Sequence, residues 1–193
     1  MQKSMKTILI AGLGNPGKEC ISTRHNIGRE IVEAFRKKMD MPEFRFEKKW
    51  NAQISEGKIG KVKIALLLPD TMMNNSGKAL APVMRFFKIK PADINLVHDD
   101  ADIALGKCKL SFGKNAAGHK GVESVIRALK TNEFWRFRIG IAGKRDIPAE
   151  KLVLKKWAHD EMRIVKKIIA KTTDAIKETI TEGPEKAMNE YNK

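Results

Sequence analysis

Cysteine, tyrosine and long apolar runs are all scarce in this chain of 193 residues. Its two cysteines, Cys20 and Cys108, form no Cys-x-x-Cys pair, which argues against both a disulfide framework and a zinc site. No apolar run approaches the ~20 residues that span a bilayer, and no signal-peptide pattern precedes the first apolar segment. We therefore expect a cytoplasmic protein with no metal and no membrane partner.

Negative charge is also in deficit. Lysine and arginine number 38 against 23 acidic residues, which gives a formal net charge of +15. Such an excess favours a polyanionic partner, nucleic acid ahead of a membrane surface, although a solvated lysine-rich surface would have the same composition. The basic residues are spread along the chain, which favours a broad contact face on a folded domain rather than a disordered nucleic-acid arm. We expect residues 1–193 to form one domain.

The apolar residues alternate between strand-like and helix-like patterns. Strands are predicted at 7–13, 44–46, 50–55, 62–68, 94–97, 107–112 and 136–142, and helices at 27–39, 76–87, 121–129, 160–180 and after Pro184. A turn is predicted at 57–60, and Ser76 is the predicted cap of its helix. This alternation predicts an α/β fold, a single domain with a twisted mixed, mostly parallel sheet and helices on both faces.

The first strand is followed by an unusually long loop of about a dozen residues. It contains Gly-Leu-Gly-Asn-Pro-Gly at 12–17 and Thr-Arg-His-Asn at 23–26, whereas connections in α/β units usually take about 2–6 residues. The spacing Gly-x-Gly-x-x-Gly also fits a dinucleotide fingerprint. Pro16 removes a backbone donor there, however, and no helical apolar stripe begins at Gly17, which argues against a dinucleotide site. Loops at the ends of strands often carry catalytic residues, so His25 in this loop is the first candidate for a catalytic base.

Polar residues follow three further strands at their carboxyl ends, where ligands bind in open α/β sheets. Any one of these segments could be ordinary turn chemistry, but we expect them to meet the first loop at one edge of the sheet. The segments are Pro-Asp-Thr-Met-Met-Asn at 69–74, His98, Asp99 and Asp102, and the stretch from Gly113 to Gly121.

Taken in order, these motifs resemble those of bacterial-type peptidyl-tRNA hydrolase. They are Gly-Leu-Gly-Asn-Pro-Gly…Thr-Arg-His-Asn-x-Gly, Pro-x-Thr-x-Met-Asn-x-Ser-Gly, His-Asp-Asp-x-Asp and Gly-His-x-Gly, with Arg-x-Arg-Ile-Gly-Ile at 136–141. The resemblance implies hydrolysis of the ester that joins a peptide to the terminal ribose of tRNA, by a monomeric α/β protein without metal or cofactor. Histidine suits that reaction, since its ordinary pKa of about 6.5 lets it activate water at neutral pH.

The resemblance also implies a role for each candidate residue. Asp99 would orient His25, and Asn15 would act beside them in catalysis. The substrate-binding set is Asn74, Met73, Cys20, His119 and Lys120. Arg138, Lys109 and Lys144 would contact the tRNA body, with Arg145 as a neighbour of the last.

Two residues depart from the family pattern. Cys20 stands where the family has a tyrosine, and Lys120 stands where Gly-His-Asn-Gly has its asparagine. A lysine donates hydrogen bonds but cannot accept them as an amide does. These departures support an alternative, a family member that binds RNA but has lost catalysis. Three of these residues could instead have purely structural roles. Asn74 could cap a helix, Asp99 could form an ion pair with a lysine, and His119 could stabilise the fold.

Overall fold

A seven-stranded sheet organises the chain. The computed structural model describes residues 5–143 and 147–193. The strands are β1 Thr7–Gly12, β2 Arg45–Glu47, β3 Ala52–Ile59, β4 Val62–Pro69, β5 Ile94–Ala104, β6 Cys108–Phe112 and β7 Trp135–Ala142. The α-helices are α1 Ile27–Lys38, α2 Ser76–Phe86, α3 Lys120–Leu129, α4 Ala149–Leu152, α5 Met162–Thr181 and α6 Pro184–Tyr191.

The strands lie in the order β2-β3-β4-β1-β5-β7-β6. The central strands β4, β1, β5 and β7 pair in parallel, while β3 with its neighbours and β6 with β7 pair antiparallel. This is the predicted mixed sheet with a parallel centre, and the α/β fold class is confirmed. Among the described helices, none has both the length and the apolar character needed to cross a membrane.

Both faces of the sheet are buried, which explains why the central strands are apolar almost throughout. In β1, Ile8 and Ile10 belong to one core cluster and Leu9 and Ala11 to the other. Helices α1, α5 and α6 supply the first cluster, and α2 and α3 supply the second. Each face therefore has its own layer of helices, and the polar loops are left at the sheet edges.

Three local predictions were wrong. Strand β5 does not stop at Val97, because residues 98–100 continue its ladder with β7. The turn before β4 is not at 57–60, because β3 continues to Ile59 and pairs with Val62. Ser76 does not cap α2: the capping position is Asn75, and the buried Ser76 hydroxyl donates to the Met73 carbonyl.

The polar segment from Gly113 to Gly121 does reach the carboxyl edge of the sheet, but not because β6 ends there. Because β6 runs antiparallel to β7, Phe112 pairs with Trp135 at the start of β7, so β6 ends at the opposite edge of the sheet. The segment 113–119 then returns toward the carboxyl edge, where α3 begins at Lys120. Along the way, the Arg136 guanidinium donates to the Asn115 carbonyl at 3.0 Å.

Candidate active site

His25 lies in a single 3-10 turn, Arg24–Asn26, that leads directly into α1. Two glycines let that helix start close to the sheet. A Cβ on Gly28 would collide with the carbonyl oxygens of Val97 and Leu13, and one on Gly12 would collide with the Gly28 carbonyl. This close approach brings the turn that carries His25 within reach of Asp99 on β5.

The side chain of Asp99 joins two histidines. His25 Nδ1 lies 2.8 Å from Asp99 Oδ1, and His119 Nε2 lies 2.9 Å from the same oxygen. Asp99 is almost fully buried, whereas His25 is 13% exposed at the side chain. Burial alone would raise the pKa of the Asp99 carboxyl, but His119 and His25 outweigh it and hold that pKa well below its ordinary value. Asp99 is therefore an anion and accepts both hydrogen bonds.

This arrangement fixes the proton positions on His25. Because Nδ1–H donates to the Asp99 carboxylate, the neutral ring has its lone pair on Nε2. A histidine held in this tautomer by a carboxylate is prepared to take a proton from water.

His119 is held in the opposite tautomer. Its Nδ1 accepts the backbone N–H groups of Gly121 and Val122 at 3.1 and 3.3 Å, which caps α3. Nε2 must then carry the proton that is donated to Asp99. The ligand atoms of His25, Asp99 and His119 lie close enough together to hold a metal ion. A metal on His119 Nε2 would displace that proton and would require Nδ1 to give up the cap, so the donor set fits hydrogen bonding better.

A third imidazole lies behind this cluster. His98 is buried, its ring centroid is 4.7 Å from that of His119, and its Nδ1 lies 2.7 Å from the Asp99 carbonyl oxygen. Burial and the neighbouring His119 ring hold the pKa of His98 well below its ordinary value. His98 is therefore neutral near pH 7, and its Nδ1–H donates to the carbonyl.

A pair of asparagines ties the first loop to the segment that carries His25. Asn26 Oδ1 accepts from the Asn15 backbone N–H at 2.8 Å, and Asn26 Nδ2 donates to the Asn15 carbonyl at 2.9 Å. The Asn15 side chain in turn accepts the Met73 backbone N–H through Oδ1 at 2.7 Å. This contact directs the Asn15 Nδ2 group away from Met73, and Asn15 lines the cleft described next.

These residues surround a cleft of about 380 Å³ at the carboxyl edge of the sheet. Asn15, His25, Asn74, Asp99 and His119 line it, as do Met73 and the exposed Lys120. Residues 149, 150, 153 and 154 form a further wall. Polar and titratable groups thus converge in one concave site with an otherwise apolar lining.

Known proteins are similar to this chain in sequence and in fold. The family model for peptidyl-tRNA hydrolase matches residues 9–193. The chain is 36% identical to the peptidyl-tRNA hydrolase of Desulfitobacterium hafniense, over 96% of this chain and 99% of that protein. It is 38% identical to that of Thermoanaerobacter sp., over 95% and 98%. The crystal structure of the Acinetobacter baumannii enzyme superposes with a TM-score of 0.90 at 30% identity, covering 100% of this chain and 97% of that one.

The chain belongs to the peptidyl-tRNA hydrolase family. This confirms the family, and with it the hydrolase class, predicted from the motifs. The roles of the individual site residues remain predictions.

The structure brings together most of the predicted site residues, but Cys20 lies apart from them. Cys20 is not among the described residues that line the cleft. It is half-buried in the 3-10 turn Lys18–Cys20. Burial, and then the charge of Glu19, raises the pKa of its thiol, so the thiol is protonated near pH 7.

The predicted tRNA contacts are adjacent on the sheet. Arg138 on β7 pairs with Lys109 on β6, and Arg138 Nε donates to Asp100 Oδ2 at 2.7 Å. Asp100 also lines the cleft, so the basic pair begins where the cleft ends. Lys144 and Arg145 lie outside the described residues.

Sequence reasoning missed Asn26, Arg24 and the wall at 149–154. Asn26 stands next to His25 in a quoted motif, but nothing in the residue order indicates that its amide pairs with Asn15. The sequence signal for the wall is the apolar triplet Leu152-Val153-Leu154 between Lys151 and Lys155.

Proposed function

We propose that this chain hydrolyses the ester between peptide and tRNA in peptidyl-tRNA, and so recycles tRNA during translation. In this proposal His25 is the general base and Asp99 its orienting carboxylate. The observation that carries the proposal is the 2.8 Å contact from His25 Nδ1 to buried Asp99, which leaves Nε2 as the acceptor in a cleft at the sheet edge.

The reaction follows from this geometry. His25 Nε2 takes a proton from water as the water oxygen attacks the ester carbonyl carbon. The carboxylate of Asp99 stabilises the imidazolium that forms. The tetrahedral intermediate collapses by breaking the bond to the ribose oxygen, which receives the proton from His25. The products are a peptide with a free carboxyl group and a tRNA with a free terminal hydroxyl.

Four other residues are proposed to hold the substrate. The Asn15 amide, oriented by its bond to the Met73 backbone, donates to a peptide carbonyl. Asn74 is exposed in the cleft and has both a donor and an acceptor for the terminal nucleotide. The buried Met73 gives an apolar wall. Lys120, at the start of α3, supplies positive charge where the oxyanion develops.

The tRNA body is proposed to lie across Arg138 and Lys109. Arg136 is two residues before Arg138 on the same side of β7. Burial, and then repulsion by Arg138, lowers the pKa of Arg136 to about 10. Asp100 offsets part of the charge on Arg138, and the exposed Lys109 beside it on β6 adds a positive charge that would attract a phosphate.

The two parts of this proposal are tested by comparing whole peptidyl-tRNA with a minimal aminoacyl-nucleotide ester. Arg138→Ala should weaken binding of whole tRNA about 10- to 100-fold, as expected for loss of a charge-assisted contact, and reduce the salt dependence of binding. Hydrolysis of the minimal ester should change little. Lys61→Ala, an exposed lysine in the turn between β3 and β4, is the matched control for loss of one charge. Equal damage to both substrates would assign Arg138 to the fold instead.

The alternative of an RNA-binding protein without catalysis is not favoured. It was raised by Cys20 and Lys120, yet His25, Asp99 and His119 form a connected set of hydrogen bonds in which neither departure takes part. A contribution of Cys20 to substrate binding stays a prediction; Cys20→Tyr, which restores the residue typical of the family, tests it by the change in KM.

A further inference from the structure

The segment that carries His25 is bound to residues 153–161, which we term the strap. The backbone N–H of Arg24 donates to the Lys155 carbonyl at 3.0 Å, and that of His25 donates to the Val153 carbonyl at 2.9 Å. Thr23 and Lys156 form an antiparallel bridge beside them. Three consecutive residues around the proposed base are thus aligned by one segment that is distant in sequence.

The side chain of Arg24 adds a second connection between the same two segments. Its Nη2 lies 2.6 Å from Glu161 Oε2, and its guanidinium carbon lies 4.6 Å from the centre of the Trp157 ring. The arginine side chain is 7% exposed and that of Glu161 is 16% exposed, so little water screens the pair. Glu161 Oε2 also accepts the Ala158 backbone N–H at 2.8 Å, which holds the carboxylate in place.

The strap also forms part of the cleft. Val153 and Leu154 line it, and Leu154 is 63% exposed. The same short segment therefore contacts the backbone of His25 on one side and faces the substrate space on the other.

We propose that Arg24 is a positioning residue, which through Glu161 and Trp157 fixes the strap against the turn that carries His25. This proposal rests on the proposed role of His25 as general base. Rates depend steeply on such alignment, since a shift of about 1 Å in a reacting group can cost about a hundredfold. Arg24 acts through the backbone and does not touch the reacting atoms.

The test uses variants of graded severity in the full chain. Glu161→Gln keeps the size and an acceptor oxygen but removes the charge, and we expect kcat for the minimal ester to fall about tenfold, with a smaller change in KM. Arg24→Gln should lower kcat further, toward a hundredfold. The double variant Arg24→Glu with Glu161→Arg should recover part of the loss. Lys38→Gln is the matched control, because it removes another 2.6 Å ion pair, to Asp174, between exposed side chains.

A second readout separates positioning from simple stability. The proton between His25 Nδ1 and Asp99 should give a downfield proton resonance that His25→Ala abolishes, and this resonance should broaden or move in Glu161→Gln. The proposal is overturned if Glu161→Gln and Arg24→Gln fold, keep that resonance and have the kcat of the wild type. It is also overturned if Lys38→Gln lowers kcat as much. Full activity of His25→Ala would instead defeat the proposed function itself.

Discussion

Asp99→Asn removes one charge from the candidate site and keeps its shape. Both histidines donate to the same carboxylate oxygen, Oδ1, so an amide oxygen in that place can accept both hydrogen bonds. The tautomers of His25 and His119 are then preserved. What is lost is the attraction between the carboxylate and the imidazolium that forms on His25 during the reaction.

The structure sets the size of that loss. The closest atoms are 2.8 Å apart, and each charge is spread over its group, so a mean separation of about 4 Å is appropriate. Two unit charges at about 4 Å attract by about 4 kcal/mol at an effective dielectric constant of about 20. At about 1.4 kcal/mol for each factor of ten, kcat should fall about a thousandfold.

The assay is single-turnover release of labelled peptide from N-acetyl-aminoacyl-tRNA, with thermal unfolding measured in parallel. Asp93→Asn is the matched control: it makes the same change just before β5, in an ion pair of 2.8 Å with Lys6 at the other edge of the sheet. A folded Asp99→Asn enzyme within about threefold of the wild-type rate would refute the reasoning.

Two further predictions concern charges at other positions. Lys120→Ala should lower kcat about tenfold by removing charge beside the oxyanion, while Lys120→Asn keeps a donor and should stay near the wild-type rate; an alanine variant as fast as the wild type would contradict this. Burial raises the pKa of Glu30 to about 7. The folded state therefore holds a proton that the unfolded state has released, and this contribution to stability is complete below about pH 4.5 and is lost as the pH rises through 7. At pH 8, the free energy of unfolding of Glu30→Gln, measured with urea, should exceed that of the wild type by about 1–2 kcal/mol, after allowance for partial solvent contact. At pH 5 the two proteins should differ little. An equal difference at both pH values would exclude titration of Glu30 as the cause.

The elements of the fold could be predicted because burial on both faces leaves a clear pattern. The apolar runs of β1 and β4 and the 3.6-residue spacing of α1 indicate their structures directly. Where β5 ends could not be read in this way. His98, Asp99 and Asp100 are polar, as loop residues often are, and their place in the ladder depends on pairing with β7, about 40 residues later.

The site was predictable as a set of residues and not as a set of bonds. Motif order identified His25, Asp99 and His119 as candidates. That Asp99 receives both imidazoles on one oxygen depends on how segment 113–119 returns across the sheet from the antiparallel strand β6. Local sequence does not specify such a path. For the same reason, the contact of Arg24 with Glu161, 137 residues away, had no signal in the sequence.

The most direct test of the account is the rate of peptide release by His25→Ala. With purified N-acetyl-aminoacyl-tRNA, the account predicts release by the wild type and a loss of about 10²–10⁴-fold in the variant, the usual contribution of a general base. Lys61→Ala, a change at an exposed lysine between β3 and β4 and away from the cleft, should leave the rate unchanged. A folded His25→Ala protein that releases peptide as fast as the wild type would contradict the central claim.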